Sequence, residues 1–141
     1  MLSDLPRGPV PVSASNSVRA LREDLHFRAA NGEPIAVWAS DASTAWTVVF
    51  DATPGFPLSP LNRFVFVKPL PADLAAETLA VKPHLSCAGI WPATLENARA
   101  VAVTGVSRLC PVGAMQMPPW TWHPDGVPVL ASLVRWVDLE T

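Results

Sequence analysis

Residues 105–126, GVSRLCPVGAMQMPPWTWHPDG, leave the chain few ways to fold around them. The run begins apolar from Val106 to Val112, with Arg108 interrupting it. It then becomes a loop holding two glycines, three prolines, two methionines, two tryptophans, a histidine and an aspartate. Pro118 and Pro119 each fix φ and remove a backbone donor, so they stiffen its middle. Burying a large apolar side chain is worth roughly 1.5–3 kcal/mol, so Met115, Met117, Trp120 and Trp122 are expected to dock against something. Asp125-Gly126 reads as a tight turn returning the chain to an apolar segment. The expectation is a docked loop between the end of a strand and a final helix.

Proline is unusually frequent elsewhere too. Sixteen in 141 residues is about twice the usual ~5%, yet they lie among apolar segments, which argues for fixed loops rather than disorder. The length suits one domain. Half the residues are hydrophobic and only 16% are charged, where about 25% is typical, so some apolar surface is expected to remain for a partner. A net charge of −2 gives no reason to expect nucleic acid. Two cysteines are too few for a disulfide framework, and no N-terminal signal sequence is visible. The apolar runs fall well short of the ~18 residues of a membrane span. A cytoplasmic location is the expectation.

Taken in order, residues 1–16 read as an extended leader. Ser15 to Ser17 offer an N-cap, Val18, Leu21 and Leu25 share a helical face, and Asn31-Gly32 is a stop, which predicts a helix over 17–30. Residues 34–38 and 46–50 are β-like around the turn residues SDAS, so an antiparallel pair is expected. After a proline-rich loop over 51–62, residues 63–68 (RFVFVK) read as a strand. Residues 71–80 read as a helix with Pro71 in its first turn and Leu74, Thr78 and Leu79 on one side. Residues 85–91 read as a strand. Thr94 caps a further helix with Leu95, Ala98 and Ala102 facing inward, Gly105 ends it, and 106–111 form another strand. Strand, helix, strand, helix, strand with short joints predicts a parallel βαβαβ unit. Leu130, Leu133, Val134 and Val137 fall at helical spacing, so residues 129–140 form a closing helix or a helix leading into a terminal strand. The fold class is α/β, with a parallel βαβαβ unit, an antiparallel appendage and a C-terminal helix.

Candidate chemistry is sparse. Cys87 and Cys110 lie in apolar strand segments and read as buried structural thiols. His84, Cys87, Cys110 and His123 could make a Cys₂His₂ set, but structural zinc wants tightly paired ligands and this spacing is loose, so no metal site is assigned. His123 and Asp125 could form an acid–base pair, although a turn in which Asp125 caps its own backbone is the simpler reading. His26, among Arg22, Glu23, Asp24 and Arg28, looks like a solvated helix face. Trp120 and Trp122, flanked by proline and without basic neighbours, read as a packing plug. Arg63, Lys68 and Arg108 read as partners in ion pairs. There is no GxGxxG, Walker A, GxSxG or paired-carboxylate motif.

The segments WTVVFDATPGFPLSPLNRFVFVKPL (46–70), the 105–126 run and VLASLVRWVDLE (129–140) resemble the C-terminal portion of LuxC-type acyl-CoA reductases of the aldehyde dehydrogenase superfamily. The most specific pieces are SPLNR at 59–63, GVSR at 105–108 and the MQMPPWTWHPDG loop. The resemblance implies a partial reductase-like catalytic domain over 17–141. It also implies the reduction of an acyl thioester to an aldehyde by NADPH or NADH, through attack by a cysteine thiolate and hydride transfer to the acyl-enzyme. Cys87 and Cys110 do not fall where that family places its nucleophile, so no catalytic residue is assigned. Asn62, Arg63, Arg108, Gly113, Gln116, Trp120, His123 and Asp125 become substrate-pocket candidates. No cofactor is expected on this chain alone, and its implied partner is an N-terminal reductase half or a second copy met through apolar surface.

Overall fold

The computed structural model describes residues 7–135 and 137–140, with Ser132 described by its backbone alone. Two compact units make up the chain, Met1–Pro71 and Ala72–Thr141.

The first unit is a helix on a three-stranded sheet. Helix α1, Val12–Ala30, starts five residues before the expected position because Pro11, with φ −53°, sits at its N-cap. The Ser15 amide already donates to Pro11 O at 3.0 Å. The serines do not cap: Ser17 Oγ donates back to Ser13 O. Residues 7–11 of the expected leader lack regular structure, and residues 1–6 lie outside the described residues. The stop is where the sequence put it, with the Gly32 amide donating to Ala29 O and Gly32 at φ +90°. Val18 and Leu25 are buried and Leu21 packs beside them, so the inward stripe is the one read from the spacing.

Strands β1, Ile35–Ala39, and β2, Thr47–Asp51, pair antiparallel with Ile35 opposite Asp51 and Ala39 opposite Thr47. Their turn is held by Arg22 of α1, whose guanidinium donates to Ser43 O and Trp46 O at 2.7 Å each and to Thr47 Oγ1 at 2.8 Å. Strand β3, Phe64–Val67, lies parallel to β2 with Thr47 opposite Phe64. This corrects the expected three-strand parallel unit, since β3 belongs with β1 and β2 and not with the later strands. The reason is burial: Phe64 and Val49 close one core with Val18 and Leu25, with Ile35, Val37 and Phe66 packed around it.

The second unit holds the βαβ element. Strands β4, Cys87–Ile90, and β5, Arg108–Pro111, pair parallel through helix α3, Leu95–Ala102. Thr94 Oγ1 accepts from the Asn97 amide at 3.2 Å, and Gly105 at φ +82° follows the helix end. Its inward face differs from the expected one: Leu95 and Ala102 are exposed, while Asn97, Ala98 and Val101 are half-buried. Helix α2 is short, Leu74–Thr78, because Asp73 rather than Pro71 sets its start by accepting from the Ala76 amide. Thr78 is buried and Leu79 exposed.

The expected closing helix over 129–140 does not form. A single turn, Ala131–Leu133, is followed by irregular backbone, and Leu130, Leu133, Val134 and Val137 are exposed. Trp136 lies outside the described residues. A helix of this length is marginal unless its apolar face is covered, and here that face meets solvent. The chain is thus a mixed α/β protein, with one mixed and one parallel sheet among the described residues.

Candidate functional site

Arg108 opens β5 and organises the loop after it. Its Nη2 donates to Ala114 O at 2.8 Å and Met117 O at 3.2 Å, and its Nη1 donates to Met115 O at 2.8 Å. The guanidinium also lies 5.8 Å from the centre of the Trp122 ring, within cation–π range. The loop is docked, as the sequence suggested, but by a polar clamp rather than by burying its large side chains. Met115 and Met117 remain exposed, and so does Trp120, which corrects its reading as a plug. Trp122 is the half-buried ring of the pair, and its buried Nε1–H has no hydrogen-bond partner among the described residues. Removing the clamp leaves three carbonyls without a charged donor. Arg108→Met is therefore expected to cost about 1.5–3 kcal/mol in urea melts, with Arg108→Lys recovering only part because an ammonium lacks the fork.

Behind the clamp, the two cysteines meet. Cys87 Sγ and Cys110 Sγ are 3.8 Å apart, and Arg108 Nη1 is 3.7 Å from Cys87 Sγ. Cys87 pairs in register with Arg108, and Gly89 with Cys110, so strand alternation puts all four on one face of the sheet. Burial pushes the Cys87 thiol up, and the neighbouring Cys110 pushes it further, against the opposing pull of Arg108. The spacing of 23 residues between the cysteines gave no hint of this contact, which needs the parallel register to be known.

The remaining candidates do not converge. Gly113, at φ +93°, and Gln116 are exposed on the clamped loop. His123 and Asp125 are exposed at the single turn Pro124–Gly126, closed by the Gly126 amide on His123 O at 3.0 Å. Among the described residues no hydrogen bond joins their side chains, and Asp125 sits at φ +53° as a turn residue. No group of three His, Cys, Asp or Glu side chains among the described residues is placed to hold a metal.

Asn62 and Arg63 belong to the first unit. With Leu61 they form three successive left-handed residues, φ +63°, +55° and +61°, just before β3. Ser59 Oγ braces that turn, accepting from the Leu61 amide and donating to Phe64 O. Left-handed backbone costs a non-glycine residue roughly 1–2 kcal/mol, and such strain collects at functional sites. Beside it lies a cavity of about 440 Å³ walled mainly by Phe56, Phe64, Phe66 and Leu70, with Lys68 at its polar side. Lys68 Nζ is 2.5 Å from Asp51 Oδ2, so its charge is already matched. Phe56 in the proline-rich loop over 51–62 and the aromatic alternation of RFVFVK are its signal in the sequence.

A mixed α/β protein with an apolar groove beside a strained turn, and a clamped Met/Trp loop, is the class these features define. The family of acyl-CoA reductases (LuxC) matches residues 2–136, nearly the whole chain, and the chain belongs to that family. No curated protein matches it.

Proposed function

We propose that this chain forms the C-terminal part of an NAD(P)H-dependent acyl-CoA reductase, which converts a fatty acyl thioester to an aldehyde, within the aldehyde dehydrogenase superfamily and in the cytoplasm. The family match over residues 2–136 carries the reading. In it, the nucleophilic cysteine and the nucleotide fold lie outside these 141 residues. Two features support this: burial and its sulfur neighbour push the Cys87 thiol up, and Cys110 is buried. The dinucleotide does not fit the β4–α3 joint either. Residues 91–94 there read WPAT, so side chains stand where a pyrophosphate needs glycine backbone, and Pro92 offers no N–H.

The part assigned to this chain is shape. The groove at Phe56, Phe64, Phe66 and Leu70 supplies apolar wall for an acyl chain, with Asn62 and Arg63 at the adjoining turn. Leu58, Trp91, Trp120 and Val137 are exposed, and large apolar groups left in water favour a covering partner, either the other reductase half or a second copy.

Acyl-CoA-dependent NADPH oxidation is the test, measured on the purified chain alone and with a candidate N-terminal half. Turnover only in the mixture is the expected result. Turnover by the chain alone would refute the division of labour. No turnover in either, together with a stable oligomer, would replace the reductase reading with that of an assembly module.

A further inference from the structure

The second unit gathers sulfur in a way the reductase reading does not use. Cys87 and Cys110 place their Sγ atoms 3.8 Å apart on one sheet face. Gly89 lies on that face, two residues along from Cys87 and opposite Cys110. Met115 fills the space its missing side chain leaves: a Cβ built on Gly89 would lie 3.1 Å from Met115 Sδ and 3.3 Å from its Cγ. Arg108 fixes this arrangement from both ends, holding Met115 O at 2.8 Å while its Nη1 also lies 3.7 Å from Cys87 Sγ. The glycine, the clamp and the paired strands together put the Met115 thioether beside Gly89, on the sheet face that carries the two thiols.

We infer that Cys87, Cys110 and Met115 form a binding site for a soft monovalent metal ion, Cu(I). Two sulfurs each about 2.3 Å from one ion lie about 3.8–4.0 Å apart at tetrahedral to trigonal angles, so the two thiols already have the required bite. Soft sulfur ligands favour Cu(I), Zn(II) and iron–sulfur clusters; two cysteines are too few for a cluster's four thiolates, and the thioether argues against Zn(II), which takes thiolate, imidazole and carboxylate. Charge points the same way. Two thiolates and one Cu(I) leave a net charge of −1, which the adjacent Arg108 guanidinium balances, whereas a divalent ion would leave that guanidinium unmatched. On binding, two S–H bonds break and two S–Cu bonds form. The two protons pass to solvent, and copper stays Cu(I), so no electron moves. Met115 is partly exposed, which gives the ion a way in.

The experiment is an anaerobic Cu(I) titration of the reduced full-length chain against a chromophoric Cu(I) chelator. It should hold one equivalent, with a near-ultraviolet thiolate-to-copper band. Cys87→Ser and Cys110→Ser should each abolish the band. Met115→Leu conserves volume, so it should fold normally. It should weaken Cu(I) binding by at least the roughly 10–100-fold that loss of even an outer partner costs a metal site. Failure to hold copper against the chelator would overturn the site, as would an unchanged affinity in the leucine variant, whatever the serine variants do.

Discussion

Lys68→Met is expected to destabilise the chain by about 3–5 kcal/mol, because it strands a buried carboxylate. Asp51 and Lys68 are both largely withdrawn from water, with side chains 8% and 12% exposed, and their charged atoms meet at 2.5 Å. Burial alone would raise the Asp51 carboxyl. Hydrogen bonds from the Lys68 ammonium and from the Thr53 hydroxyl and amide outweigh it and hold the group at about 2, against an ordinary 3.8. The folded value is the lower one, so this stabilisation is fully present above the ordinary carboxylate range and is lost as the pH falls through about 2. Urea melts from neutral pH downward should therefore show a large gap between parent and variant that narrows in acid, where the stranded carboxylate takes up a proton. Adding Asp51→Asn to the variant should recover part of the loss, since the cost lies in the unpaired charge. A variant as stable as its parent at neutral pH would mean that water reaches the pair.

Phe64→Ala should cost a similar amount, about 3–5 kcal/mol, through a different mechanism. Phe64 is 5% exposed and closes the core formed by Val18, Leu25 and Val49. Its ring also stacks at a tilt on Phe66, 5.2 Å between centres. It is the residue through which β3 is held against α1 and β2, so its loss removes transfer energy, leaves a void and loosens one wall of the apolar groove. Thermal or urea unfolding followed by far-ultraviolet circular dichroism would measure this. A loss below about 1 kcal/mol would show that the core collapses around the gap.

Both residues lie in the segment the sequence marked as a strand, and the sequence was most legible for such local features. Helix α1, the β1–β2 hairpin, the Thr94 cap and the Gly105 end all rest on neighbours within a few residues. The errors came where distant residues decide. Nothing local in RFVFVK says whether it pairs with the hairpin before it or with the strands after it; Phe64 meeting Val18 and Leu25 settles that. Residues 129–140 carry helical spacing, yet spacing alone does not hold a helix whose apolar side is uncovered. The loop at 112–126 was recognised as docked, but its anchor was misjudged. Apolar bulk suggested Trp120, whereas a guanidinium reaching three carbonyls from the neighbouring strand needs β5 and the loop to be placed first. The two thiols were assigned separate, inert roles for the same reason.

Among the described residues the parallel sheet β4–β5 has two strands, and a lone pair of strands is marginal without further packing. Its support comes from α3, whose large Leu95 points to water, and from the Arg108 clamp. The first unit, by contrast, has the contiguous core around Val49. Opening of the clamp and of this small sheet therefore requires far less free energy than unfolding the whole chain. Brief, local opening around one arginine then exposes Cys87 and Cys110 to oxidants, and a change at Arg108 that loosens the clamp would shorten the lifetime of the reduced thiols.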